Sequence, residues 1–286
     1  MVKVEVLKSL SDDMVLWRYM SLDKFINLLS DQSLYFADLE SYRQSDPYEG
    51  YPPLVALKAM YSTGDKVYAE LNAILDYVDN SGVLADEIIS EPSAILRKVL
   101  SSRFSDFRKR TDAVFKGTLV SCWYQSDHQS EAMWKLYSDQ LKGVAIRTTV
   151  GALSQSLQKS KAIDKKIFIG KIKYLDYGSA TLTPKDCVVD GHIVPLLKRI
   201  SFSHENEVRA FFVGDASSSN IETFVPSSRQ ISVDVKGLIH AVYISPYSNV
   251  PFANAVKAVC KVFGLECSVT QSDLLGGVDN LFDFSE

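Results

Sequence analysis

The stretch Phe202–Phe212 reads FSHENEVRAFF and sets Glu205, Glu207 and Arg209 two residues apart in turn. Strand alternation puts all three on one face. Two like charges so spaced repel unless they are solvated or paired, and Arg209 can partly neutralise Glu207. The bland outcome is a salt bridge on an exposed sheet face. The chemical one is a cleft in which a carboxylate binds hydroxyls or stabilises an oxocarbenium-like centre on a sugar. Arg18, within Trp17-Arg18-Tyr19, faces opposite to its aromatic neighbours on a strand. A guanidinium there either makes a structural ion pair or grips a phosphate or carboxylate through two parallel hydrogen bonds. Ser45-Asp46-Pro47-Tyr48-Glu49-Gly50 is a turn-forming loop that carries two carboxylates and a ring. Ser121 offers a small hydroxyl on a strand. Met133, Trp134 and Tyr137 share one helical face, as core or as the wall of a groove where rings stack on a base. Cys122 has no evident activating base, so it is not expected to be a nucleophile.

These residues need elements to carry them. Apolar and aromatic runs predict strands at 14–20, 33–38, 117–124, 143–150, 165–177, 205–213, 229–235 and 238–245, with a short one near 266–270. Three- and four-residue spacing predicts helices over 22–32 with Ser21 as N-cap, 130–140 and 249–263; a further helix is expected near VPLLKRI (194–200), within Pro184–Ile200. Residues 54–116 carry long helical patterns, broken at Gly64-Asp65 and Asn80-Ser81-Gly82. They read as a helical lobe inserted in a single domain spanning 1–286. The order lacks regular strand–helix alternation, so the expected class is α+β. No glycine-rich phosphate loop spacing occurs.

With 46% hydrophobic residues the 286-residue chain can bury a substantial core. A net charge of −4 argues against a general binder of nucleic acid or anionic membrane. A basic run at Arg97, Lys98, Arg103, Arg108, Lys109 and Arg110 leaves a nucleic-acid partner open. Cysteines 122, 187, 260 and 267 and the four histidines lack zinc spacing, so no metal site is expected. MVKVEVLKSLSDDM has no apolar core of the secretory kind, and no apolar run reaches membrane-spanning length. The expectation is a cytoplasmic protein with reduced thiols and no membrane partner.

Taken in order, LWRYMSLDKFINLL, YFADLESYRQSDPYEG, SCWYQSDHQSEAMWKLYSDQLKGVAI and FSHENEVRAF resemble the bacterial domain-of-unknown-function family 2971 (DUF2971). That label supplies no activity, though the kind of family suggests a bacterial defence or toxin–antitoxin setting. More distantly, an Arg-bearing strand, a Ser-bearing strand and a late Glu-x-Glu strand look like the ADP-ribosyltransferase folds. This resemblance implies mixed, mainly antiparallel sheets and NAD as substrate. It implies Arg18 on the pyrophosphate or ribose region, Ser121 at the nicotinamide ribose, and Trp134 or Tyr48 walling the ring. Glu207 would bond the ribose 2′-hydroxyl and stabilise the oxocarbenium ion, and Glu205 would prepare an unidentified macromolecular acceptor. The chain departs from the pattern in lacking a second serine after Ser121 and in setting Arg209 beside Glu207. Two other readings use the same residues. One is a non-catalytic nucleotide or metabolite sensor with a polar pocket of Arg18, Asp46, Glu49, Glu205 and Arg209. The other is a metal-dependent nuclease or hydrolase in which Asp46, Glu49, Glu205 and Glu207 supply oxygen ligands.

Overall fold

Leu16, Trp17, Tyr19 and Met20 are all buried although they point alternately to two faces. Only a strand covered on both sides accommodates that pattern. A computed structural model describes residues 2–80, 87–139, 141–160, 165–213 and 228–276. The chain begins with β1 (Val4–Val6), β2 (Val15–Met20), α1 (Leu22–Asp31) and β3 (Ser33–Asp38). The helices α2 (Leu54–Ser62), α3 (Asp65–Asn80) and α4 (Glu87–Lys116) follow. Then come β4 (Thr118–Gln125), α5 (Glu131–Tyr137), β5 (Val144–Thr149), α6 (Val150–Gln158), β6 (Ile167–Lys171), β7 (Lys173–Leu175) and β8 (Leu197–Arg199). The chain continues with β9 (Glu207–Val213), β10 (Arg229–Ser232), α7 (Val235–Leu238), β11 (Ala241–Ile244), α8 (Val250–Val262) and β12 (Ser268–Gln271).

The main sheet runs β1-β6-β9-β4-β2-β5-β11-β12; β3 attaches along β4, and β10 pairs with β3. Its interior pairings are antiparallel, and β1–β6 and β11–β12 are parallel. The class is therefore α+β with a mixed, mostly antiparallel sheet. The strands bearing Glu207, Ser121 and Arg18 are consecutive neighbours, β9-β4-β2. The larger core lies on one side of the sheet, among Leu16, Phe25, Phe36, Trp123, Ile146 and Val208. Smaller clusters around Phe211 and around Trp134 cover the other side. Among the described residues no helix is long and apolar enough to cross a membrane.

Several expectations change. The run 165–177 is not one strand. It breaks at Ile172, and β7 leaves the main sheet to pair in parallel with β8. No helix forms near VPLLKRI, where Leu197–Arg199 is a strand. Leu196 and Leu197 are both buried, and so short an apolar run has no period to separate helix from strand. β9 starts at Glu207, because Ile200–Glu205 is a 3-10 turn closed by Asn206 in the left-handed region (φ 35°). Asn tolerates that conformation, and its amide also donates to the Gln125 carbonyl. α6 and β1 were not anticipated. α6 is rich in Ser and Gln, yet Leu153 and Leu157 anchor it and Thr149 caps it by accepting from Ala152 N at 3.2 Å. The Asn80-Ser81-Gly82 break falls partly outside the described residues.

β6 passes so close to its neighbours that a Cβ on Gly170 would lie 2.7 Å from Leu7 Cδ1 and 2.8 Å from Leu196 Cδ1. Gly170→Val is expected to destabilise the protein by about 1–3 kcal/mol through overpacking, read as a lower urea midpoint. An unchanged midpoint would mean that this packing is loose.

Candidate functional site

The site begins where the sheet opens. β2 pairs with β4 only at Leu16–Gln125 and Trp17–Tyr124. β3 pairs with the same edge of β4 only at Ala37–Val120 and Asp38–Leu119. Between them Ser121, Cys122 and Trp123 have a strand partner on the β9 side alone. Arg18 spans this opening. Its Nη1 donates to Ser121 Oγ at 2.7 Å and its Nη2 to the Tyr35 carbonyl at 3.4 Å, with the guanidinium 5.5 Å from the Trp123 ring centre. Among the described residues no carboxylate lies within 4.0 Å of it. Burial lowers its pKa, in the sense that the charge is poorly solvated and uncompensated by an acid. An anion entering the opening would meet that charge.

A cavity of about 1060 Å³ occupies the opening and extends to both sides. Towards α1 and β3 it is bordered by Asp23, Lys24, Asn27, Tyr35 and Gln230. Towards β8 and β9 it is bordered by Tyr42, Cys122, Tyr137, Phe202, Glu205 and Glu207. Alternation roots Arg18 and Ser121 on the larger-core face, and Cys122, Glu207 and Arg209 on the other. The two sets communicate through the gap between β2 and β3.

The acidic end is a buried ion network. Arg209, 1% exposed, donates from Nε to Glu207 Oε1 at 2.6 Å and from Nη2 to Glu207 Oε2 at 3.1 Å. Its Nη1 donates to the Pro195 carbonyl at 3.0 Å and pairs with Glu49 Oε1 at 2.8 Å. Lys198 Nζ lies 3.5 Å from both Glu49 and Glu207 and makes a short ion pair with Glu205. Three carboxylates thus share two cations. Nearby, Asp46 is buried, accepts from Arg199 Nη2 at 2.6 Å, and accepts from Tyr48 N at 3.0 Å. The loop carrying Asp46 and Glu49 is thereby tied to β8 and β9.

The charges in the network differ in character. Burial pushes the Glu207 pKa up, but Arg209 and Lys198 outweigh it and bring it down to about 2. Burial opposes the charges of Lys198 and Arg209 too, yet the carboxylates hold both pKa values above their ordinary ones. Glu205 behaves oppositely. Burial raises its pKa, Lys198 pulls it down, Glu207 pushes it up, and the net direction is upward. Of these two acids, Glu207 is the more firmly ionised and Glu205 takes up a proton more readily. Burial raises the Cys122 thiol pKa, so this cysteine stays protonated and unreactive.

Of the residues singled out in the sequence, Arg18, Asp46, Glu49, Glu205, Glu207 and Arg209 all border the cavity. Ser121 does not; it is buried and holds Arg18 in place. Trp134 is fully buried in the aromatic cluster, edge-on to Tyr19 at 4.9 Å, because its side of α5 packs on β2. It is core, and Met133, Leu136 and Tyr137 form the α5 contribution to the wall. Tyr48 is 53% exposed beside Tyr177, under Arg199, and off the cavity lining. Glu205 reaches the site from the 3-10 turn, not from a strand face. Lys198 and Arg199 escaped sequence reasoning; a Lys-Arg pair after two buried leucines, seven residues before Glu205, was the available signal. Asp46, Glu49, Glu205 and Glu207 are each paired with a cation of the chain, which occupies the ground a hard metal ion would need. Among the described residues no group of three or more His, Cys, Asp and Glu side chains could hold a metal. No family model, curated protein or solved structure matches this chain.

The depressed Glu207 pKa has a signed consequence. Its stabilisation is fully present above the unfolded value of 4.5 and is lost as pH falls towards about 2. The contribution is on the order of 3 kcal/mol. Urea midpoints between about pH 5 and about pH 3 are expected to fall less steeply for Glu207→Gln than for the wild type. Parallel curves would show that Glu207 has an ordinary pKa in the folded state.

Proposed function

We propose that the cavity binds NAD and that the protein is an ADP-ribosyltransferase-like enzyme. The observation that carries this reading is a cation without an acid partner, Arg18, sharing one cavity with a carboxylate group centred on Glu205 and Glu207. The pyrophosphate of a dinucleotide matches the first and a cationic sugar centre matches the second. Arg18, held by Ser121, grips the pyrophosphate. The bond between nicotinamide nitrogen and ribose C1′ breaks, and its electron pair leaves with nicotinamide. Glu207, kept ionised by Arg209 and Lys198, supplies negative potential to the oxocarbenium ion. Glu205 accepts the proton that the acceptor loses as it bonds to C1′, which its raised pKa suits. Tyr137 and Phe202 supply the aromatic wall.

One observation favours a second reading, a nucleotide sensor without turnover. Both oxygens of Glu207 accept from Arg209, which limits their use towards a ribose hydroxyl.

A single series separates the two. NAD is expected to raise the melting temperature of the wild type and not that of Arg18→Ala. With water as the acceptor the wild type is expected to release nicotinamide, and Glu205→Gln, which cannot take the proton that water loses, to do so at least ~100-fold more slowly while melting normally. Stabilisation without nicotinamide release would establish the sensor. Absence of stabilisation by NAD would remove both readings.

A further inference from the structure

Away from the cavity, α3 and α4 leave apolar side chains in water. Among the described residues, 65–76 bury only Leu75 and 95–110 bury none. Val67 is 59% exposed, Ile74 55%, Ile95 60% and Val99 46%. Val67, Leu71 and Ile74 recur at four- and three-residue spacing and make one stripe of α3, and Ile95 and Val99 make one of α4. Arg103 fixes how the stripes lie. Its Nη2 donates to Asp65 Oδ1 at 2.5 Å, and its guanidinium is 4.0 Å from the Tyr68 ring centre. The start of α3 therefore lies against the later half of α4, and the two helices are antiparallel. The line of contact runs along Tyr68 and Leu75 on α3 and through Arg103 on α4. At about 100° per residue, the α3 stripe is turned about 80° from that line and the α4 stripe about 60°, in the same rotational sense. In an antiparallel pair such turns open to the same side, so the two stripes form one apolar face.

The rims of this face carry opposite charges. Glu70 and Lys98 are turned about 150° and 140° from the line of contact, each on the outer edge of its own helix. Glu70 is five residues on from Asp65 and Lys98 five back from Arg103, so the two stand level on opposite rims. Both are exposed, and neither makes an ion pair among the described residues. We propose that this face docks a second copy of the chain through a twofold axis parallel to the helices. That operation lays α3 of each copy on α4 of the other and leaves their levels unchanged. Glu70 of one copy then meets Lys98 of the other, twice, around an apolar centre. A twofold running across the helices would instead set like charges on the same rim. An occupant must carry a cation opposite Glu70 and, at the same level, an acid opposite Lys98, and this face supplies both to itself.

The test is sedimentation equilibrium of the full chain, loaded at up to about 100 μM. The wild type should reach twice the chain mass and dissociate on dilution. Glu70→Lys and Lys98→Glu each set two like-charged pairs in their own homodimer, and each should dissociate at least about tenfold more readily. Mixed in equal amounts, the two variants should associate again, because opposite charges then meet at both rims. Ile74→Glu, which puts an unpaired charge into the apolar contact, should abolish association. Unchanged circular dichroism would confirm that the variants fold, since all three positions are exposed. A wild type that stays monomeric overturns the proposal and leaves the face to a different partner. A dimer that survives Ile74→Glu places the contact elsewhere, and mixed variants that stay apart exclude the twofold along the helices; either result also overturns it.

Discussion

The bidentate pairing of Arg209 with Glu207 is the constraint from which the acidic end of the cavity follows. Two charged groups this deeply buried are costly to desolvate, and their attraction compensates only if the remaining hydrogen-bonding capacity is also used. Here it is. Arg209 reaches Glu49 and the Pro195 carbonyl, and Lys198 bridges Glu49, Glu205 and Glu207. Satisfying that pair therefore draws in the Asp46–Glu49 loop, β8 and the turn before β9. Removing one member would leave a buried charge unpaired, at a cost of about 3–5 kcal/mol in comparable sites.

A second constraint operates at the other end. β4 is shared by two partners on one edge, and where β2 and β3 part, Ser121, Cys122 and Trp123 have no strand partner on that edge. Arg18 fills that place and ties Ser121 to Tyr35. Its charge is balanced by a serine, a carbonyl and an aromatic face, none of them anionic. The cavity is thus polar in the electrical sense, positive at the sheet opening and carrying three carboxylates against two cations beyond it. That asymmetry is what makes an elongated ligand with separate anionic and cationic parts a better match than a simple anion.

Much of this was legible in the sequence. Arg18, the Asp46–Glu49 loop and the two glutamates stood out because charged residues among aromatic and β-branched neighbours have few reasons to be there. Most of the strands, and helices α2, α3 and α4, followed from periodicity. What escaped did so for physical reasons. Trp134 and Tyr137 share a helical face by spacing, but only packing against β2 decides which is core and which is wall. Glu205 and Glu207 looked like strand neighbours, and it took a left-handed Asn206 to bring one from a turn and the other from a strand. Lys198 sat in an apolar run with no readable period, and its role depends on three carboxylates drawn from distant parts of the chain.

The most direct measurement is the structure of the protein crystallised with NAD or with ADP-ribose. The account predicts the pyrophosphate within hydrogen-bonding distance of the Arg18 guanidinium, with the ribose that bore nicotinamide beside Glu205 and Glu207. Density for the dinucleotide on another surface, with Arg18 still bonded only to Ser121 and Tyr35, would contradict it.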